Sequence, residues 1–177
     1  HLSLQSGCDK TLKAMNRKYD SQKYFEAVET IKKYMPDAAI TTDIIVGFPG
    51  ETEDDFKESY EFAKKVKFSK IHVFPYSPKK GTPAAKMPCQ IDSTIKTERV
   101  KILMHLSNKM AYEFMEKYIG EALEVLFERK DENGFFEGHT SNYIKVLVKS
   151  DYELTNKFVN VKITEVNNEC AFGVVLD

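Results

Sequence analysis

Cysteine is scarce in this sequence: Cys8, Cys89 and Cys170 lie far apart and are odd in number. That argues against a disulfide framework and suits a reducing cytoplasm, the compartment expected here. No two of the three are closely spaced, so a zinc or iron–sulfur site made by this chain alone is not expected. No stretch approaches the roughly 20 apolar residues that a bilayer-spanning helix needs, and no secretory signal precedes the first element, so no membrane partner is expected. There is no Walker loop, no spacing that suggests a Ser–His–Asp or Cys–His nucleophile, no low-complexity segment and no repeat. His72 and His105 stand alone on element faces and read as packed or solvent-facing rather than catalytic. No catalytic residue is therefore expected within the chain. The sequence opens at His1 inside an alternating apolar run, without Met, and reads as a piece of something longer.

What is present suits a soluble globular protein. The 177 residues are 42% hydrophobic and 30% charged, enough for a core in one large domain or two small ones. The net charge of −1 is unevenly divided: residues 1–118 hold 20 Lys+Arg against 16 Asp+Glu, and residues 119–177 hold 6 against 11. A boundary near Gly120 gives two domains, 1–118 and 119–177. If the second binds nucleic acid, bulk positive potential is not the reason.

The first part alternates strand and helix. Leu2 and Leu4 alternate with Ser3 and Gln5, a short strand that Ser6-Gly7 ends. Tyr24, Val28, Ile31 and Met35 recur at helical spacing after a cap at Asp20 or Ser21, and Pro36 stops that helix. Residues 38–46 are apolar and β-branched, and Gly47-Phe48-Pro49-Gly50 closes them. Thr52 offers the next cap, with Glu53, Asp54 and Asp55 suited to the helix dipole. Residues 70–76 form a strand, residues 77–90 a Pro/Gly-rich loop, and from Asp92 a long helix carries Ile95, Ile102, Leu103, Leu106, Met110 and Phe114 to Gly120. This order implies parallel strands with crossover helices. Three such strands are too few to close a barrel, which implies a missing front half.

After Gly120 the period becomes two. Residues 123–127, 135–139, 143–148, 158–163 and 171–176 are five short candidate strands, read as antiparallel, punctuated by Asn133-Gly134, Ser141-Asn142, Ser150-Asp151 and Asn167-Asn168. Five strands in about 60 residues suggest a small closed barrel resembling an OB-fold.

In parallel α/β folds ligands bind at the carboxyl ends of the strands. The loops there are Gln5-Ser6-Gly7, the run from Gly47 to Glu51, and Tyr76-Ser77. Gly47 and Gly50 let backbone approach a ligand, and N–H groups ahead of a helix suit a carboxylate or phosphate; equally, these glycines fit tight connections alone. Asp43, inside an apolar strand, either ties down the neighbouring loop or accepts from ribose hydroxyls. Arg17 either clamps a carboxylate or is solvated. In the second part, Asn142, Tyr143 and Lys145 sit where a strand begins and offer stacking and phosphate contacts, with Tyr143 in the core as the alternative; Arg129 is a further candidate.

Four runs, HLSLQSGCDKTLKAMNRKY, TTDIIVGFPGETEDDF, IHVFPYSPKKGTPAAKMP and GHTSNYIKV, occur in the order seen in bacterial methylthiotransferases. The chain thus resembles, over essentially its whole length, the radical S-adenosylmethionine family that thiomethylates tRNA or a ribosomal protein. HVFPYS, KGTPAA and NYIKV look most like the branch acting on threonylcarbamoyl-adenosine beside the tRNA anticodon; the branch acting on isopentenyl-adenosine is next.

The resemblance implies an α/β plus all-β fold: the C-terminal half of a partial (β/α) radical S-adenosylmethionine barrel, then a five-stranded OB-like TRAM β-barrel that holds RNA. His1 falls at the fourth barrel strand, Asp43 and the Gly47–Glu51 loop at the fifth, and Phe74 to Ser77 at the sixth. Of the Gly-x-Ile-x-Gly-x-x-Glu strand often found here, the chain keeps Gly50 and Glu51 near the end and has Asp43 at the first place; Cys8 stands where serine is usual. Gln5, Ser6, Arg17, Asp43, Gly47 and Glu51 become candidates for the S-adenosylmethionine pocket, with Phe74 and Tyr76 walling its adenine or substrate side. Arg129, Asn142, Tyr143 and Lys145 become candidates for tRNA contact.

Two 4Fe-4S clusters and S-adenosylmethionine are the implied cofactors. One cofactor molecule gives a methyl group and another is split to a radical that takes hydrogen from the target carbon; such chemistry belongs to the cofactors, and the protein positions them. The Cys-x-x-x-Cys-x-x-Cys cluster motif and the auxiliary-cluster cysteines are absent, so the chain by itself is expected to be inactive and to partner the missing N-terminal half of the same polypeptide. A ribosomal-protein aspartate is the alternative substrate, and a bare RNA-binding module the alternative class. An uncovered sheet edge and face predict self-association.

Overall fold

The computed structural model describes residues 1–176, which fall into two compact units that divide between Met110 and Ala111. The first unit is built on two parallel strands, β1 (Thr41–Val46) and β2 (Lys70–Pro75), in a register that sets Asp43 beside His72 and Ile45 beside Phe74. Its helices are α1 (Asp9–Ala14), α2 (Ser21–Tyr34), α3 (Glu53–Val66) and the start of α4 (Ser93–Glu116).

Strand alternation divides the sheet into two unlike faces. Thr42, Ile44 and Val46 are buried, and with Leu4, Tyr24, Val28, Phe56, Ala63, Val66, Phe68, Ile71, Leu103, Leu106 and Met110 they make one core. Each large side chain in it is worth about 1.5–3 kcal/mol of burial. Thr41, Asp43 and Ile45 lie on the opposite face with Lys70, His72 and Phe74, all half-buried or exposed.

Local signals explain the helix starts. Asp20 accepts the Lys23 N–H at 2.8 Å and so is the cap of α2, in place of Ser21. Thr52 and Asp55 form a reciprocal capping box at α3, below three acidic residues in its first turn.

Two expectations change. The expected strand at Leu2–Gln5 is an extended segment with a single bridge, Gln5 to Ile44. The Thr42 hydroxyl takes the Leu4 N–H (2.9 Å) and donates to the Leu2 carbonyl (2.6 Å), groups that a regular ladder would have used. In α4 the stripe facing the core is Arg99, Leu103, Leu106, Ser107 and Met110, while Ile95 and Ile102 are exposed. Ser107 belongs there because its hydroxyl accepts the Ile71 N–H and donates to the Ile71 carbonyl.

The second unit is a closed barrel of β3 (Ala122–Lys130), β4 (Phe136–Thr140), β5 (Lys145–Val148), β6 (Lys157–Val166) and β7 (Ala171–Val175), in the order β3-β4-β5-β7-β6. The expected all-antiparallel pattern is corrected at one seam: β5 and β7 run parallel. An odd number of strands cannot alternate direction all the way round a closed ring. Val125, Phe127, Phe136, Val146, Val148, Val161, Ile163 and Ala171 fill the interior. Gly138 is required there, because a Cβ would stand 2.3 Å from the Leu126 carbonyl oxygen. Tyr112, Phe114, Met115 and Tyr118 also pack on this core. The compact units therefore part inside α4, whereas the charge step and change of period fall near Gly120.

Candidate functional site

Three segments reach the carboxyl ends of the strands. In the first, Gln5 is nearly buried at φ +71°, with its N–H on the Asp43 carbonyl and its carbonyl taking the Ile45 N–H. Ser6 is fully buried, and its Oγ accepts the Cys8 N–H at 3.2 Å. The Gly7 N–H donates to Ser59 Oγ at 2.8 Å, and a Cβ at Gly7 would stand 2.8 Å from that of Phe62. Asp55, almost buried, accepts Lys10 Nζ at 2.7 Å and the Thr52 N–H at 2.8 Å, with Cys8 Sγ at 3.6 Å from its other oxygen. Burial works to raise the Asp55 carboxyl, but Lys10 and Thr52 outweigh it and hold it at about 2. Burial also pushes the Cys8 thiol up, keeping it protonated. α3 thus holds the first loop.

The second loop, Gly47 to Glu51, is held by α4. Gly47 adopts φ +71°, and the stem of Lys96 crosses where its Cβ would be, with Cγ 2.4 Å away. Glu51 is buried; its Oε2 accepts the Gly47 N–H and Arg99 Nη1, the latter at 2.7 Å. Burial raises the Glu51 carboxyl, against the Gly47 N–H and the Arg99 guanidinium that favour its ionised form. The Gly50 N–H reaches the Cys89 carbonyl at 2.9 Å. Phe48 stands edge-on to Tyr76 with centroids 5.2 Å apart, which joins this loop to the third segment, and Lys96 Nζ lies 5.5 Å from the Tyr76 ring. Tyr76 Oη is buried without a hydrogen-bond partner among the described residues.

Asp43 lies on the open face of the sheet. It accepts Ser3 Oγ at 3.0 Å, and His1 Nε2 is 3.2 Å away; the His1 ring is 6.0 Å from that of His72. Phe74 is half exposed on the same face. Gln5, Asp43, Gly47, Phe74 and Tyr76 are thus placed on one face or its adjoining loops. Ser6 and Glu51 turn to the protein's own backbone and Arg99. Arg17 is exposed beyond α1 and no hydrogen bond joins its side chain to these loops among the described residues. Among the described residues no group of three or more His, Cys, Asp or Glu side chains could hold a metal ion, and the three cysteines are free. The residues present therefore do not fit an iron–sulfur cluster. They do fit a polar organic ligand, which the Asp43 carboxylate on the open face and the buried, unpartnered Tyr76 hydroxyl could both serve.

On the second unit, Tyr143 forms the tip of the β4–β5 turn at φ +62° and is 85% exposed, so its core alternative is set aside. The turn is closed by Thr140, whose carbonyl takes the Tyr143 N–H and whose Oγ takes that of Ile144. The expected strand start at Tyr143 shifts to Lys145. Asn142 faces inward: its Oδ1 accepts from Thr140 Oγ1 at 2.6 Å and its Nδ2 donates to Tyr118 Oη at 2.9 Å. Arg129 and Lys145 come together on Glu137, at 2.9 and 3.0 Å. Burial opposes ionisation of Glu137, but Lys145 and Arg129 outweigh it and lower its carboxyl. The register places Phe158, Leu126, His139 and Lys145 in one row across the outer face, with the His139 ring 6.4 Å from Tyr143 and His139 Nδ1 3.0 Å from Glu128. The surface is aromatic and carries locally paired charge.

The sequence reading passed over Arg99, Asp55, Glu137 and His139. Arg99 was visible as a charge four residues before Leu103 and seven before Leu106, on the stripe that faces the core. Asp55 was noted only for the helix dipole. Glu137 and His139 carry no sequence signal, because their importance comes from cross-strand register.

Residues 1–63 match the family model of the Radical SAM superfamily, and residues 116–176 match that of the TRAM domain. Over its whole length the chain is 45% identical to threonylcarbamoyladenosine tRNA methylthiotransferase MtaB of Bacillus subtilis (strain 168), of which it spans 41%. It is 42% identical, over 99% of its length, to tRNA-2-methylthio-N(6)-dimethylallyladenosine synthase of Caldicellulosiruptor saccharolyticus, spanning 38% of that protein. The corresponding synthase of Fusobacterium nucleatum subsp. nucleatum is 41% identical over 99% of the chain, which spans 41% of it. The chain spans about two fifths of the length of these relatives. The two matches follow the order of a radical SAM segment and then a TRAM domain.

Proposed function

We propose that this radical SAM–TRAM chain is the C-terminal part of a longer tRNA methylthiotransferase, one that adds a methylthio group to a hypermodified adenosine beside the anticodon. The observation that supports it best is similarity that continues through both domains to proteins named as tRNA methylthiotransferases. The higher identity to MtaB favours threonylcarbamoyladenosine over dimethylallyladenosine as the target.

In this reading S-adenosylmethionine supplies the methyl group and the radical chemistry, and two 4Fe-4S clusters take their ligands from polypeptide outside this chain. Asp43 offers a carboxylate to the cofactor, and Gln5 and Gly47, whose N–H groups are bonded within the protein, shape the loops beside it. Phe48 fixes the Tyr76 ring, whose buried hydroxyl has no hydrogen-bond partner among the described residues. Ser6 and Glu51 hold the loops that present those contacts. On the barrel, Tyr143 offers a face on which an unpaired base can stack, and Arg129 and Lys145 stand near enough to meet phosphates. Asn142 sets the turn that carries Tyr143.

The test is mass spectrometry of digested tRNA and of ribosomal proteins from a strain lacking the gene. Loss of the methylthio group from a tRNA adenosine supports the reading. Loss confined to a ribosomal-protein aspartate, or no loss at all, overturns it.

A further inference from the structure

Arg99 is 5% exposed, yet nothing about its chemistry requires burial. Its Nη1 donates to the Glu51 carbonyl at 3.2 Å and to Glu51 Oε2 at 2.7 Å, its Nη2 reaches Glu53 at 3.1 Å, and its Cζ lies 5.1 Å from the centre of the Phe56 ring. The same Glu51 oxygen takes the Gly47 N–H. A continuous chain of contacts therefore runs from the last helix of the unit through Arg99 and Glu51 to Gly47, the residue that follows β1. One turn earlier on α4, the stem of Lys96 lies on Gly47 and its ammonium reaches toward Tyr76. Both ends of the loop are thus fixed from one helix face, and Phe48 between them is held against Tyr76.

Two buried charges are a poor device for stability alone, since taking both out of water costs about what their attraction returns. Their geometry is another matter. A planar guanidinium with several fixed donors sets the position of a carboxylate as no apolar pair could.

We propose that Arg99 is a positioning residue for S-adenosylmethionine: it fixes the Gly47–Glu51 loop, and through Phe48 the Tyr76 ring, in the arrangement that receives the cofactor. This rests on the reading that these loops wall the cofactor site. Arg99 itself touches no ligand in this account. It acts through Glu51.

The experiment uses the full-length, cluster-loaded enzyme that carries this sequence, with S-adenosylmethionine affinity read by titration calorimetry. tRNA affinity and the thermal midpoint are measured alongside. Arg99→Lys keeps the charge but loses the fork, and is expected to weaken S-adenosylmethionine binding at least about tenfold, as loosening of a supporting shell does. tRNA affinity should stay within about twofold. Glu53→Gln removes only the contact to a largely exposed partner and should leave the cofactor affinity unchanged. If Arg99→Lys does not fold, the double variant Glu51→Gln/Arg99→Gln removes both buried charges while keeping polar partners, and the same loss is expected.

Unchanged cofactor affinity with a lowered midpoint would overturn the proposal and leave Arg99 a brace of the core. A wild-type enzyme that binds no S-adenosylmethionine would remove the cofactor reading itself, and the proposal with it.

Discussion

Lys10 Nζ stands 2.7 Å from Asp55 Oδ2, an ion pair that ties the start of α1 to the first turn of α3. Asp55 also closes the capping box with Thr52 and meets Cys8 Sγ, so one carboxylate serves a cap, a neighbouring helix and a thiol. Burial acts to raise it from its ordinary 3.8, and Lys10 and Thr52 together bring it to about 2. Its contribution is therefore complete above pH 3.8 and is lost as pH falls through about 2, where the folded chain must also take up the proton. Because Lys10 is largely exposed, that contribution is at most about 2 kcal/mol. Asp55→Asn should lower the stability of the first unit by roughly 1–2 kcal/mol at neutral pH and flatten the acid limb of its stability profile. Urea unfolding followed by the helical circular-dichroism signal, repeated down the acid range, checks this. An unaltered acid limb in the variant would contradict it.

Tyr143 makes a different kind of prediction, because it is exposed at a left-handed turn position that a non-glycine residue occupies at a cost. Tyr143→Gly should leave the barrel as stable or raise its stability by up to about 1 kcal/mol, while tRNA binding weakens by about 1–3 kcal/mol through the lost stacking surface. Thermal melting and filter binding read the two effects separately. A variant with lower stability and unchanged tRNA affinity would mean that the tyrosine serves the fold.

Glu137 pairs with both Arg129 and Lys145, so removing its charge should act opposite to removing theirs. Glu137→Gln is expected to strengthen tRNA binding and steepen its salt dependence. Arg129→Gln or Lys145→Gln should weaken binding and reduce the salt slope by about one each. Titrations at several salt concentrations decide, and equal slopes in all three variants would exclude phosphate contact at this ion group.

Gly138 tests the barrel itself. An added methyl group would meet the Leu126 carbonyl and Phe127 Cα, both backbone atoms unable to move aside, so Gly138→Ala should cost about 1–3 kcal/mol or more of barrel stability. A thermal midpoint equal to the parent's would show that the close approach is absent in solution.

The open face of the first unit's sheet carries the half-exposed Phe74 beside His72 and Ile45. The 177-residue chain by itself should therefore self-associate at micromolar concentrations, as measured by light scattering, and Phe74→Ser should reduce the effect. A monomer across that range would contradict it.

Much of this architecture was legible because local chemistry and tertiary packing agree. The Thr52 cap took the expected form, and the apolar run before Gly47 and the five period-two segments after Gly120 became strands with bounds shifted by a few residues. What escaped depended on residues distant in sequence. The Thr42 hydroxyl interrupts a strand some forty residues earlier by taking the Leu4 N–H, which no local pattern reveals. The parallel β5–β7 seam follows from closing an odd ring, a property of the whole barrel. At the site, motif resemblance singled out Glu51 and Asn142 but could not say that both face inward, toward Arg99 and Tyr118.

The most direct measurement combines the full-length enzyme, its clusters, a reductant and S-adenosylmethionine with tRNA from a strain that lacks the gene, followed by nucleoside mass spectrometry. A methylthio derivative of threonylcarbamoyladenosine should accumulate with time and only when every component is present. Fully reduced, cluster-loaded enzyme that consumes S-adenosylmethionine and leaves every tRNA adenosine unthiolated would contradict the account.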